Sequence, residues 1–121
     1  MASIPEVARR QLTDRLESHA RTAWNERCAR VDVRFRGEYA YIDALQSDPW
    51  VSPNVSNQEA EQIRQTPTKL CRLTWKGDAD SWGFAFYKYS DERYEPSICL
   101  DGSFVGSPES CFDTAAQLYL Q

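Results

Sequence analysis

A run of alternating side chains between Leu70 and Tyr89 limits the fold of this 121-residue chain more than any other stretch. Two aromatic-rich segments flank GDADS, a short segment whose Gly and Asp residues favour a turn. Alternation divides the first arm into an apolar set and a polar set, namely Cys71, Leu73 and Trp75 against Arg72, Thr74 and Lys76. The stretch therefore predicts a β-hairpin at the centre of the core, with Trp75 facing Trp82 where the loop closes.

A second hairpin is predicted from Arg30 to Leu45, with its turn around Gly37. On the first arm three apolar residues alternate with three charged ones, which is typical of a strand with one face in water. The return arm also alternates, with Ala40, Ile42 and Ala44 on one side and Tyr39, Tyr41 and Asp43 on the other. The pattern alone does not decide which of these two sets faces the core.

Helices are predicted at both ends of the chain. Ser3 with Pro5 and Glu6 has the spacing of a capping box, and an apolar stripe follows at helical spacing, made of Val7, Ala8, Leu12, Leu16, Ala20, Ala23 and Trp24. Near the other end, Ser107 is a candidate N-cap and Pro108 suits the first helical position. We therefore expect helices over residues 1–28 and 107–120.

The remaining segments are connections and one edge strand. Residues 46–68 are rich in Pro, Ser, Asn and Gln, with a short helix indicated where Ser56 and Glu59 again have capping-box spacing. Trp50 in this connection either plugs the edge of the core or serves as an anchor for a partner. A fifth strand is expected from Tyr94 to Leu100, and Pro96 would place it at a sheet edge.

Together these segments predict one α+β domain over residues 1–121. Its sheet, formed within residues 30–100, would be antiparallel with four to five strands, that is, two hairpins plus an edge strand. A long N-terminal helix and a C-terminal helix complete the plan. A chain of this length buries a sufficient core without disulfides or metals.

The charge is unevenly distributed along the chain. The formal net charge is −4, which argues against a protein that coats nucleic acid by bulk attraction. Residues 1–36 carry eight basic and five acidic side chains, whereas residues 37–121 carry six and thirteen. Either the N-terminal element docks on the acidic remainder or on a second copy of the chain, or both regions are ordinary solvated faces.

The four cysteines are widely spaced and form no CxxC pair, so neither a zinc site nor a thioredoxin-type site is indicated. They fit small core residues, although two disulfides in an exported protein, or one nucleophilic Cys activated by His19, are alternatives. No export signal or membrane-spanning run is present in the sequence. We expect a cytoplasmic protein without cofactor, metal or membrane partner.

Four segments, RFRGEYAYIDA, LCRLTWKG, WGFAFYKYSDERYEPS and GSPESCFDTAAQLYL, resemble a family of short bacterial proteins with no assigned activity. The similarity covers about residues 31–120. It implies a bacterial, cytoplasmic origin and no mechanism. Residues 1–30 lie outside the pattern, so the basic N-terminal helix would be an addition to it.

Catalytic groups are sparse. His19 is the only His and lies at the edge of a helical stripe, where a His is usually a partly buried residue satisfied by one hydrogen bond. Asp91, Glu92 and Glu95 are close enough in sequence to act as an acid and base pair, but clustered carboxylates in a turn are usually solvated. A hydrolytic or small-molecule-binding enzyme built on His19 or on these carboxylates therefore ranks as an alternative function.

The leading functional hypothesis concerns one face of the sheet. If the bulky apolar side chains point inward, the opposite face carries a basic and aromatic set of candidate binding residues, which are Arg30, Arg34, Arg36, Tyr39, Tyr41, Arg72, Lys76, Tyr87 and Tyr89. We expect a non-enzymatic module that binds a protein partner or a second copy through this face or through the N-terminal helix. Binding of single-stranded nucleic acid is the alternative. If Asp32, Glu38 and Asp43 neutralise the basic side chains, or if a helix covers the face, it can bind neither a protein nor nucleic acid.

Overall fold

An antiparallel sheet forms the centre of the structure, and its strands follow one another along the chain. The computed structural model describes residues 3–47, 51–99 and 102–120. The elements are α1 (Glu6–Ala23), β1 (Cys28–Arg36), β2 (Tyr39–Gln46), α2 (Asn57–Gln65), β3 (Thr68–Asp78), β4 (Ser81–Lys88), β5 (Arg93–Pro96), β6 (Val105–Gly106) and α3 (Pro108–Tyr119). The strand order is β1-β2-β3-β4-β5, and β6 pairs with the part of β4 that β5 leaves unpaired.

Both terminal helices lie on one side of this sheet. α1 packs on β1, α3 packs on β3 and β4, and the two helices contact each other. The core fills the space between the helices and the sheet, where Leu12, Leu16, Leu73 and Phe112 are almost completely buried. The predicted α+β class, antiparallel sheet and terminal helices are therefore confirmed.

The pleat sorts the strand residues as the alternation predicts. Cys71 and Leu73 are fully buried, and Trp75 pairs with Trp82 with their ring centroids 5.0 Å apart. On β2 the small apolar set faces the core, with Ala40, Ile42 and Ala44 fully buried, which settles the question that its pattern left open.

The start of α1 differs from the prediction. Pro5 occupies the N-cap position and no side chain caps the helix, so Ser3 is not its N-cap. The buried stripe is Ile4, Ala8, Leu12, Leu16 and Ala20, a narrow row at intervals of four residues. Val7 is 68% exposed and Ala23 is also exposed, since one narrow stripe is enough to cover an edge strand.

Two other boundaries also differ. β3 continues to Asp78, so the central hairpin turns at residues 79–80, and β5 ends at Pro96, because a residue without an N–H cannot extend the ladder. The predicted caps of α2 and α3 are confirmed, since the Ser56 side chain accepts the backbone N–H of Glu59 and the Ser107 side chain accepts that of Ser110. Trp50 and Leu100 lie outside the described residues.

In the part of the chain that the structure describes, no helix combines the length and the apolar character that crossing a membrane requires.

Candidate interaction face

The side of the sheet that faces away from α1 and α3 is here called the outer sheet face. In the strand register Arg34 pairs with Tyr41, Tyr41 with Arg72, and Arg72 with Ala85, so these side chains form one row on the same side. The face consists of Arg30, Asp32, Arg34 and Arg36 of β1, Tyr39, Tyr41 and Asp43 of β2, Lys69, Arg72, Thr74 and Lys76 of β3, Ala85 and Tyr87 of β4, and Tyr94 of β5. Neither terminal helix covers it.

Tyrosine rings form a connected layer beneath the charged groups of the outer sheet face. All six tyrosines of the chain belong to one series of ring contacts, with successive centroids 6.3, 5.3, 4.9, 4.7 and 5.4 Å apart, in the order Tyr39, Tyr41, Tyr94, Tyr87, Tyr89, Tyr119. The last two rings pass around the end of β4 to the helical layer, where the Tyr119 hydroxyl donates to the Tyr87 carbonyl oxygen. Edge-to-face contacts of this kind hold aromatic rings in fixed orientations.

Cationic side chains lie over the tyrosine rings. The Arg72 guanidinium is 4.5 Å from the Tyr39 centroid and 5.7 Å from that of Tyr94. Arg34 lies 5.6 Å from the ring of Tyr41, and Lys69 lies near the ring of Tyr87. Since cation–π contacts restrict these long side chains, the positive charges are ordered before any partner arrives.

Basic groups outnumber acidic groups on the outer sheet face. The part of the face formed by β1, β2 and β3 up to Lys76 carries six basic and two acidic side chains. The basic residues are Arg30, Arg34, Arg36, Lys69, Arg72 and Lys76, and the acidic residues are Asp32 and Asp43. Asp32 accepts two hydrogen bonds from Arg30, and Asp43 lies 3.4 Å from Arg34. The neutralisation anticipated from the sequence is therefore only partial, and the face is positive in a chain whose net charge is −4.

Asp43 is the most confined charge on the face. Burial raises the pKa of its carboxyl above the ordinary value and Asp32 adds to the increase, although Arg34 and Lys69 oppose it. Burial, assisted by the charge of Asp43, also raises the pKa of Tyr94 to about 12. Tyr94 therefore remains an uncharged hydroxyl at neutral pH.

The structure places the predicted binding residues at different depths. Arg34, Arg36 and Lys76 are exposed, whereas Arg72, Tyr39 and Tyr41 are half-buried. Tyr87 lies on the outer side of the sheet, as predicted, but is only 7% exposed because Lys69, Tyr89 and Tyr94 surround its ring. Tyr89 is exposed but lies past the end of β4, and its hydroxyl accepts the backbone N–H of Lys69.

Two members of the face, Lys69 and Tyr94, were not predicted. The register between β2 and β3 shifts beside Asp43, so Leu70 and Cys71 are both buried while Lys69 stays on the outer side. A register shift of this kind leaves no clear signal in the alternation of apolar and polar residues along the sequence. Tyr94 pairs with Tyr87. The sequence predicts an edge strand that contains Tyr94, and this strand was the signal from which its place on the face could have been found.

His19 has a structural setting between the two terminal helices. Its Nε2 lies 2.7 Å from Oδ1 of Asp113, and the indole Nε1 of Trp24 donates to the same oxygen at 2.8 Å. Cys71, by contrast, is fully buried on β3, and burial raises the pKa of its thiol. His19 is thus a partly buried residue whose imidazole is paired with a carboxylate between the two helices.

The predicted carboxylate cluster is a set of surface ion pairs. Lys88 Nζ lies 3.3 Å from Asp91 and 3.5 Å from Glu95, and Arg93 lies 3.7 Å from Asp91. The hydrogen bond with Asp91 is the main reason that the pKa of Lys88 is raised. With two cations beside them, these carboxylates lack the apolar surroundings that usually prepare a general acid.

A cavity of about 700 Å³ lies between α2 and the ends of β2 and β3, lined in part by Gln46, Gln62, Thr68 and Tyr89. It is open to solvent and brings together mainly amide and hydroxyl groups. Among residues 3–47, 51–99 and 102–120, no three side chains of His, Cys, Asp or Glu are placed to hold a metal ion. The outer sheet face is thus the most developed candidate site.

Comparison of the chain with protein-family models, with curated proteins and with solved structures finds no match.

Proposed function

We propose that this chain is a non-catalytic binding module, bacterial and cytoplasmic, that holds an acidic segment of a partner protein on its outer sheet face. The proposal rests on one observation, which is that the face carries six basic and two acidic side chains above a connected layer of tyrosine rings. The chain as a whole is acidic. Glu38 lies in the turn of the first hairpin, and Asp78 is the last residue of β3 beside the second turn, so both acids lie at the end of the face. A partner carboxylate would thus meet a surface of opposite sign.

Preordering of the guanidinium groups supports this use. Arg34 and Arg72 are already held over tyrosine rings, so less side-chain entropy is lost when they bind a carboxylate. Planar guanidinium groups bind carboxylates through two parallel hydrogen bonds, and Arg and Tyr are enriched in protein interfaces.

The charge on the face favours a partner other than a second copy. A two-fold dimer through the outer sheet face would bring the basic side chains of one protomer against those of the other, because the same patch meets itself. Such like-charge contacts cost binding energy. The N-terminal helix offers little for self-association, since Val7 is its only exposed large apolar side chain in the described part of the helix.

Binding of single-stranded nucleic acid is the second candidate, and the alternation of tyrosine rings with Arg and Lys favours it. However, bases would have to stack on rings whose faces already contact Arg72, Arg34 and Lys69. The net charge of −4 also opposes a long polyanion. These two facts place the acidic protein segment ahead of nucleic acid.

The two candidates are separated by binding measurements with matched variants. The probes are a fluorescent glutamate-rich peptide and a fluorescent oligothymidylate, each titrated with protein at low and moderate salt and followed by anisotropy. Arg34→Glu with Arg36→Glu reverses two exposed charges on the face, whereas Arg10→Glu with Arg21→Glu reverses two exposed charges on α1. Both variants change the net charge equally.

We expect the peptide to bind, to weaken as salt rises, and to lose roughly tenfold or more in affinity only in the variant of the face. Tighter binding of oligothymidylate than of the peptide, with the same dependence on the face, would establish the second candidate instead. If neither probe binds at low salt, or if both variants weaken binding equally, the outer sheet face is not the site. A mass that rises with concentration in sedimentation would show self-association, against the argument from like charges.

A further inference from the structure

Two cysteines meet in the core, on the helical side of the sheet and away from the outer sheet face. The Sγ atoms of Cys99 and Cys111 are 3.5 Å apart. Cys111 belongs to the first half of α3 and is fully buried, while Cys99 lies in the segment between β5 and β6 and is 3% exposed. The proposed binding function uses neither residue.

The surrounding backbone keeps the two sulfur atoms side by side. β6 passes so close to them that a Cβ atom on Gly106 would lie 3.0 Å from the Cys99 sulfur and 3.6 Å from that of Cys111. A turn fixes the main chain at Cys99, whose N–H donates to the Ser103 carbonyl oxygen and whose carbonyl oxygen accepts the N–H of Gly102. The absence of a side chain at position 106 leaves room for the sulfurs to move toward each other.

We infer that Cys99 and Cys111 form a reversible disulfide when the protein is oxidised by hydrogen peroxide. The Cys99 thiol loses its proton, and the thiolate attacks one peroxide oxygen. The O–O bond breaks, the sulfur becomes a sulfenic acid, and the departing hydroxide takes up the thiol proton and leaves as one water. The Cys111 thiol then attacks that sulfur, the S–O bond breaks, and a second water leaves as the S–S bond forms. Two thiols are oxidised and one peroxide is reduced, and a dithiol reductant reverses the change.

Access of peroxide to Cys99 comes from the segment that carries it. Ile98, Phe104 and Val105 are exposed apolar residues near Cys99, and residues 97–99 and 102–106 are joined to the sheet by edge pairings with β4. Local opening of such an edge costs less free energy than unfolding of the whole domain, and it would admit peroxide to Cys99. Closing the disulfide then needs the sulfurs to approach from 3.5 Å to about 2.05 Å, a movement within the range of side-chain rotation.

The test exposes the folded, reduced protein to dilute peroxide, stops the reaction with catalase, and counts thiols after denaturation. Arg93 is the last basic residue of the chain, so trypsin releases residues 94–121 as one peptide with both cysteines. We expect the count to fall from four thiols to two and this peptide to become lighter by two hydrogen atoms. Cleavage after Glu109 should yield two fragments that separate only after reduction.

Three variants make the test specific. Cys99→Ser and Cys111→Ser should each abolish the intramolecular product, whereas Cys28→Ser, which changes a buried cysteine of β1, should keep it. Cys71 lies near Cys99, whose charge would raise the pKa of Cys71, but it is not one of the proposed pair, so Cys71→Ser should also keep the product. Retention of all four thiols, oxidation to sulfinic acid, or a disulfide that involves Cys71 would each overturn the inference. None of these results depends on binding by the outer sheet face.

Discussion

The strongest polar link between the terminal helices is made by Arg15, and its removal is the most informative perturbation of the fold. Arg15 Nε and Nη2 donate to the two carboxylate oxygens of Glu109 at 2.9 and 2.7 Å, which joins α1 to α3. Its Nη1 also donates to the carbonyl oxygen of Ala79 and to Asp80 in the β3–β4 turn. One side chain thus connects three elements that are distant in sequence.

The size of the effect follows from the exposure of the pair. The Arg15 and Glu109 side chains are 31% and 30% exposed, so their two charge-assisted hydrogen bonds are worth more than a surface pair and less than a buried one. We expect Arg15→Ala to lower the free energy of unfolding by about 2 kcal/mol, or Tm by roughly 6 °C. The control is Arg10→Ala, since Arg10 and Glu6 are 76% and 86% exposed and its effect should stay within about 0.5 kcal/mol.

The pH dependence of this loss provides a second test. Burial alone would raise the pKa of Glu109, but hydrogen bonds from Arg15 and from the Glu109 backbone outweigh it and lower the pKa. The ionised Glu109 therefore stabilises the fold above its unfolded pKa of about 4.3, and this contribution is lost as pH falls through the lower folded pKa. Urea unfolding measured at pH 7 and at pH 3 should show that the free energies of unfolding of wild type and Arg15→Ala differ less at pH 3. Equal effects of Arg15→Ala and Arg10→Ala at pH 7, or an undiminished difference at pH 3, would refute the reasoning.

Three further predictions concern the packing of the helical layer, and each is measured by urea unfolding. Leu12→Ala should lower the free energy of unfolding by about 3 kcal/mol because Leu12 is almost fully buried. The control Val7→Ala should lower it by less than about 0.5 kcal/mol because Val7 is exposed. Similar losses in the two variants would contradict the observed stripe of α1. Gly106→Ala should cost about 1–3 kcal/mol by pressing on the Cys99 sulfur, and an unchanged midpoint would show that the sulfur moves aside freely. Asp113→Ala should cost about 2 kcal/mol by leaving the Trp24 N–H without its acceptor, whereas Asp113→Asn keeps an acceptor oxygen and should cost less; the reverse order would exclude this explanation.

The hairpins could be predicted from the sequence because their side chains alternate with a period of two. That period predicts which residues share a face, so Arg34 and Arg72 were correctly assigned to one side of the sheet. The return arm of the first hairpin could not be assigned in the same way, since Ala40 and Tyr41 both tolerate burial. Its orientation follows from its pairing with β3, which aligns Ala40 with Leu73 and Ile42 with Cys71 on the buried side of the sheet.

The details of the outer sheet face depended on features without a local signature. A register shift beside Asp43 retained Lys69 on the face, and the pairing of β4 with β5 placed Tyr94 beside Tyr87. The depth of Tyr87 is a consequence of these neighbours, so no pattern within β4 could have predicted it. Alternation predicts the face on which a residue lies, whereas its exposure depends on strands that pair far along the chain.

The uneven charge of the chain now has a structural explanation. Residues 1–28 carry five basic and four acidic side chains, whereas residues 29–36 carry three and one, so most of the N-terminal excess belongs to β1. Arg15 of α1 is neutralised by Glu109 and Asp80 of the acidic remainder. On β1, Arg30 and Arg34 pair with Asp32 and Asp43, whereas Arg36 is exposed on the outer sheet face. An arginine that served only the fold would be expected to meet carboxylates of its own chain, as Arg15 does. Arg36 and Lys76 are exposed on a face where acids are outnumbered, and for that reason the outer sheet face, not the helix, is the surface on which an acidic partner should be sought.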